Sequence, residues 1–270
     1  MAACGAAFLS PASLDRAAPV SILRVTPVRT TVMASSLRRG VLPLLVAALS
    51  VLPAAPAMAS PPDAPSALPA PRPAAMAVLQ RIAATLQTSR YDHSTRVDVR
   101  AGRYDFDCSG MVAWVLARAA PQAHAATVRR AGGRPLARDY YRQIAATREG
   151  RGAQGWGRVA RVADARPGDV VAWLMARGRR SSNTGHVLFV VEAPRPVAHL
   201  PGAFEVRVAD ASAYQHTDDT RAAAGRDGFG MGTMMLFADP ATGAVRGYGW
   251  RAGFPLWGRE AEIAIGRPLR

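Results

Sequence analysis

Three residues of this chain have the types and surroundings of a nucleophile, a base and an orienting acid: Cys108, His186 and Asp210. Cys108 stands in Phe106-Asp107-Cys108-Ser109-Gly110, directly before the apolar run Met111-Val112-Ala113-Trp114-Val115-Leu116. Asp107 and Ser109 are residue types that favour the start of a helix. The N-terminus of a helix carries partial positive charge and free amide N–H groups, which favour a thiolate over a thiol. The same amides can hold an oxyanion, so Ser109 joins Cys108 as an oxyanion or substrate-binding candidate. His186 follows Gly185 at the head of the apolar stretch Val187-Leu188-Phe189-Val190-Val191, where it is the candidate base. Asp210 ends the alternating segment Glu205-Val206-Arg207-Val208-Ala209-Asp210 and comes beside His186 if the two strands pair in antiparallel fashion. The chemistry of such a set is acyl transfer: the thiolate attacks a carbonyl, the histidine moves a proton to the leaving amine, and the acid holds the ring. His199 and His216 are rivals of Asp210 for the third position. Each residue alone also fits a plainer role, as packing, surface or turn-capping group; the joint pattern carries the functional reading. It calls for no metal and no cofactor.

The elements that must position these groups follow from periodicity. Met76, Leu79, Ile82, Ala83 and Leu86 recur at helical spacing, so an amphipathic helix is expected over 74–88. Residues 89–103 read as irregular. The run opened by Cys108 is a helix that Pro121 ends, and 136–148 reads as a second helix with Tyr140, Tyr141 and Ile144. Arg166-Pro167-Gly168-Asp169 is a turn before the strand Val170-Val171-Ala172-Trp173-Leu174. Strands are expected at 185–191 and 205–210, and a hairpin joins 233–238 to 245–250 across Asp239-Pro240-Ala241-Thr242-Gly243. Helices followed by consecutive strands argue for an α+β domain, with N-terminal helices packed on an antiparallel sheet.

The start of the chain reads differently. From Met33, a short stretch with Arg38 and Arg39 leads into the apolar run 41–52, and then to Ala57-Met58-Ala59. This is the layout of a secretory signal peptide cleaved after Ala59. The apolar run is shorter than the roughly 20 residues that a bilayer span takes. Residues 1–59 are therefore expected to be a leader and signal peptide, with the true start at Met33, and 60–73 a Pro/Ala-rich linker. The folded part is then a single domain over 74–270. Export puts the product in the periplasm or outside the cell, with no stable membrane span after cleavage. Of the two cysteines, Cys4 leaves with the leader, and a single thiol in an oxidising compartment is a liability unless buried or used. All 34 basic residues are arginine, against 19 acidic ones. Loss of residues 1–59 removes five arginines and one aspartate and leaves a net charge of +11. No arginine stripe interleaved with aromatics points to nucleic acid. A monomer acting on a peptide or wall polymer is expected.

Together, Phe106-Asp107-Cys108-Ser109-Gly110-Met111-Val112, Pro167-Gly168-Asp169-Val170-Val171-Ala172-Trp173 and Gly185-His186-Val187 resemble the NlpC/P60 family of papain-like cysteine peptidases over about residues 74–214. The resemblance implies a papain-like α+β core, Cys108 as nucleophile, His186 as base, Asp210 as third member and Tyr91 as the upstream tyrosine that contacts the site. It also implies peptidoglycan stem peptides as substrate, cut between D-glutamate and the diamino acid. Three departures stand out: the family's Trp-Gly-Gly after the tyrosine is missing, 122–164 reads as an insertion that reshapes the cleft, and Asp210 follows His186 at a longer interval than usual. Two other readings use the same residues: a transglutaminase-like amide acyltransferase, and a catalytically silent wall-binding module.

Overall fold

Among the described residues, four α-helices precede most of a large antiparallel sheet. The computed structural model describes residues 74–149, 152–175, 183–222, 227–253 and 259–269. The expected leader, Met33 start, signal peptide and 60–73 linker, with Cys4, lie outside the described residues. The helices are α1 (Ala74–Thr85), α2 (Cys108–Ala119), α3 (Pro121–Ala131) and α4 (Ala137–Ala145). The small hairpin β1 (Arg96–Asp98) and β2 (Arg103–Asp105) falls where irregular chain was expected. Its strands of three residues are too short for periodicity to reveal. The Asp98 carboxylate accepts the Arg100 and Ala101 amides to form the turn.

The large sheet contains β3 (Trp156–Val159), β4 (Val170–Leu174), β5 (Gly185–Val190), β6 (Arg195–Pro196), β7 (Ala203–Ser212), β8 (Gly228–Ala238), β9 (Val245–Gly249), β10 (Arg259–Glu260) and β11 (Ile263–Pro268). Its order is β10-β9-β8-β7-β5-β4-β11-β3, with β6 paired on β7, and every pairing is antiparallel. The fold is α+β, as expected. The C-terminal strand β11 slots between β4 and β3, a placement with no local signal in the sequence. One device that secures it is Asp169 of the Pro-Gly-Asp turn, whose carboxylate takes Arg267 at 2.8 Å on both oxygens.

Side-chain alternation splits the core in two. Val170, Ala172, Val187, Phe189, Ala209 and Ala211 face the helices and meet Leu79, Ile82, Met111, Val115, Leu116, Tyr140 and Ile144. Val171, Trp173, Leu188, Val190, Val206, Val208, Leu236 and Ile265 fill the other face. That face is enclosed because the sheet coils back on itself: β9 contacts β11, and the Val162 amide bonds the Gly243 carbonyl at 3.0 Å.

Pro121 does not only end α2; it is the first residue of α3, where its missing N–H costs nothing. Described residues of the segment 122–164 contribute to the core. Ala123, Ala126, Tyr140, Ile144 and Trp156 are all buried, and the Trp156 indole donates to the Ala123 carbonyl at 3.0 Å.

Candidate functional site

Helix α2 supplies one wall. Its cap is Asp107, in extended backbone, whose carboxylate accepts the Gly110 amide at 2.7 Å and the Ser109 hydroxyl at 3.0 Å. Ser109 therefore gives its hydroxyl to the cap. What it and Cys108 can offer a ligand is their first-turn amides, which have no acceptor within the helix. Asp107 also receives Arg134 Nη2 at 2.7 Å and His93 Nδ1 at 3.0 Å. Burial pushes the Asp107 carboxyl up, but Arg134, the Gly110 amide and His93 outweigh it and hold it below the usual carboxylate range. Cys108 begins the helix, 6% exposed, and is the sole cysteine among the described residues.

The sheet supplies the other wall. Gly185 has φ +135°, and a Cβ there would drive into the Trp173 carbonyl, so only glycine lets the chain enter β5 at this angle. His186 and Asp210 share the face of the sheet turned away from the helices, as their neighbours Leu188, Val190, Val206 and Val208 do. Because β5 and β7 are antiparallel, the two side chains meet: His186 Nε2 donates to Asp210 Oδ2 at 2.7 Å. The charge of Cys108 bears on the same ring. With Nε2 taken by Asp210, Nδ1 is the nitrogen left for the thiol. Burial disfavours a charged His186, yet the Cys108 thiolate and the Asp210 hydrogen bond prevail and push it up to about 10. Asp210 is wholly buried; burial raises its carboxyl, but His216 and His186 carry it far below the usual range.

Tyr91 reaches the site from the segment between α1 and β1. Ser89 anchors that segment, donating to the Tyr104 carbonyl at 2.6 Å and accepting the Phe229 amide at 2.8 Å. Burial, with the negative charges of Cys108, Asp107 and Asp210, raises the Tyr91 phenol, so it stays a donor. Tyr91 and His186 line a cleft of about 850 Å³, together with Trp173, Tyr214, Trp250, Arg251 and Arg259. No carboxylate lines this cleft among the described residues. A second cleft of about 590 Å³, beside Tyr141 and Glu262, contains none of the candidate residues. His199 is exposed in the turn between β6 and β7.

His216, the other rival, is not an alternative to Asp210 but its partner. Its Nε2 lies 3.1 Å from Asp210 Oδ2 and its Nδ1 2.9 Å from the Trp250 carbonyl. The guanidinium of Arg221, fully buried, sits 2.9 Å from Asp210 Oδ1 and holds Asp219 through two contacts of 2.6 and 2.9 Å. The Trp250 ring packs on His216 at 4.3 Å and edge-on against His186 at 5.1 Å. The signal for this buried set was there: His216, Asp219 and Arg221 stand opposite Gly228-Phe229-Gly230-Met231-Gly232, and alternate glycines on one strand face mark where other groups press close. A Cβ on Gly232 would lie 2.7 Å from that of His216, and one on Gly230 would strike the Arg221 side chain.

Among the described residues no group of three or more histidine, cysteine or acidic side chains is placed to hold a metal, and no helix is long and apolar enough to cross a membrane. No protein-family model, no curated protein and no solved structure matches the chain.

Proposed function

We propose that this chain is an exported cysteine hydrolase, papain-like and of NlpC/P60 type, which cleaves an amide bond in cell-wall stem peptides. One observation carries the reading: a buried carboxylate holds the His186 imidazole at 2.7 Å, and a cysteine at the first turn of a helix raises the same ring by its charge. That is the arrangement a thiolate nucleophile with an oriented base requires.

In this reading His186 stands charged beside the Cys108 thiolate. Sulfur attacks the peptide carbonyl, and the oxyanion is met by first-turn amides and the Tyr91 hydroxyl. As the tetrahedral centre collapses, the C–N bond breaks and His186 gives its Nδ1 proton to the leaving amine. The now neutral imidazole takes a proton from water, whose oxygen attacks the thioester. The acid leaves, and sulfur returns as a thiolate next to a recharged His186. Asp210 keeps Nε2 protonated throughout. The cleft favours a carboxylate-bearing peptide, because Arg251 and Arg259 line it with no carboxylate partner among the described residues.

Mass spectrometry of peptidoglycan stem peptides incubated with the protein tests the reading. A new free acid and free amine, both absent with Cys108→Ala, are expected. Unchanged cleavage by that variant overturns the mechanism, and ligation of the acyl half to an added amine in place of hydrolysis overturns the hydrolase assignment.

A further inference from the structure

We propose that Arg221 and His216 are positioning residues, which together lock the Asp210 carboxylate in the one orientation that serves His186. The proposal rests on Cys108, His186 and Asp210 acting as a catalytic set.

An aspartate carboxylate turns about its Cα–Cβ and Cβ–Cγ bonds, and a single hydrogen bond to a histidine does not fix it. Here both oxygens are constrained. Arg221 takes Oδ1 at 2.9 Å, while His216 and His186 share Oδ2 at 3.1 and 2.7 Å. Rotation of the carboxylate would break all three contacts together. Arg221 is itself held by four side-chain hydrogen bonds, to both oxygens of Asp219 and to the carbonyls of Ser212 and Gly228, and its Nη2 makes the ion pair with Asp210. Asp219 is held in turn by the His216 and Arg221 amides at 2.8 and 2.9 Å. The side chains of His216, Asp210, Arg221 and Asp219 have no exposure at all.

His216 faces an acceptor near each ring nitrogen, the Trp250 carbonyl and the Asp210 carboxylate, which fixes the plane of its ring. Outside this cluster, the charged or titratable groups that face the His186–Cys108 pair are Tyr91, Tyr140, Asp107 and Arg134. Removing one charged member of such a buried set strands the charge of its partner.

The test compares Arg221→Met, Arg221→Lys and the wild type, as full chains. The readout is alkylation of Cys108 by iodoacetamide at pH 6 and pH 9, quantified on the Cys108 peptide by mass spectrometry, together with kcat and KM on stem peptide. An isolated thiol is about 0.3% thiolate at pH 6, so fast alkylation there reports the paired histidine. Wild type should react at pH 6 within about fivefold of its pH 9 rate. Arg221→Met should widen that gap at least tenfold and lower kcat about a hundredfold with KM unchanged. Arg221→Lys should recover only part, because an ammonium cannot fork between two carboxylates.

A purely structural role would lower Tm yet leave the pH 6 to pH 9 ratio of the folded protein at its wild-type value, and that result overturns the proposal. An ordinary thiol profile in the wild type overturns the catalytic set itself, and the positioning role with it. Alkylation needs no substrate, so a wrong substrate assignment leaves this test standing. Should Arg221→Met not fold, His216→Leu against His216→Gln decides by the same ratio. Gln keeps a donor for Asp210 and should stay near wild type, and equal behaviour of the two variants overturns the proposal.

Discussion

The two walls of the site solve the same problem, an aspartate that must be held ionised in the interior, by different means. On the helix wall Asp107 is fixed by the backbone of its own first turn, through the Gly110 amide three residues on, and its cationic partners are open to water: the Arg134 side chain is 42% exposed and that of His93 81%. On the sheet wall Asp210 has no backbone amide to rely on. Its partners come from β5 and from the segment after β7; His216 and Arg221 are as buried as it is, and His186 opens only to the cleft. Local capping tolerates loss of a partner because the partner returns to solvent. A sealed cluster does not.

The largest effect should fall on rate and treat the walls alike. Cys108→Ala and His186→Ala should each lower kcat by about 10⁴-fold or more, and the double variant should be no worse than either, because the two act as a unit. Steady-state kinetics on stem peptide give the answer. Additive losses would mean that thiol and imidazole do not share one step.

Stability should then separate the walls. Asp107→Ala removes a cap and two exposed ion pairs and should cost about 1–2 kcal/mol. Asp210→Ala strands Arg221 and His216 in the interior and should cost about 3–5 kcal/mol. Urea melts of the two variants measure the difference, and equal costs would refute the contrast drawn above. Gly230→Ala, which drives a methyl into the Arg221 side chain, should resemble Asp210→Ala more than Asp107→Ala.

This difference also explains what could be read in advance. The helix wall is written in consecutive residues: Asp107, Cys108, Ser109 and Gly110 form a cap whose logic lies within one turn. His186 and Asp210 were legible one step further out, because Gly185 and an alternating strand predict an antiparallel pairing that the register confirms. His216 was noticed as a rival for the place of Asp210, since nothing local says that one carboxylate can serve two rings. Asp219 and Arg221 drew no attention, because a charged pair in a polar stretch looks solvated until the glycines of β8 are seen to lie against it. β3, α3 and β11 were missed for a related reason. Their sequences are alanine- and arginine-rich or short, and their place is fixed by partners over a hundred residues away in the case of β11 and β3.

The pH profile sharpens the comparison on the sheet wall. His186 is raised to about 10, so its ionic contribution is fully present below its ordinary value and is lost only as pH climbs through about 10. Asp210 is lowered, so its contribution is present above the ordinary carboxylate range and fails only in strong acid. Asp107 on the helix wall has the same sign as Asp210. Hydrolysis should therefore hold through neutral pH and fall about tenfold per unit above an alkaline midpoint near 10, as the acid that protonates the leaving amine is lost. A kcat/KM profile with its descending limb near 6.5 would show that Asp210 and the thiolate do not hold the proton on His186.

The smallest effect belongs to the cleft beside His186. Tyr91 lines it from the segment joining α1 to β1, and His186, Trp250, Arg251 and Arg259 line it from the sheet. Both arginines are exposed, so their attraction to a substrate carboxylate is screened and each should contribute only about 0.2–1 kcal/mol. Arg251→Gln and Arg259→Gln should each raise KM roughly two- to fivefold for a carboxylate-bearing peptide, leave kcat alone, and have no effect on the matching amide. Raising ionic strength should erase the wild-type advantage while leaving the His186–Asp210 pair, whose carboxylate is wholly buried, untouched. If either substitution lowers kcat instead, the arginine acts on the reacting groups, and the division between a buried machinery and a wet recognition surface has been drawn in the wrong place.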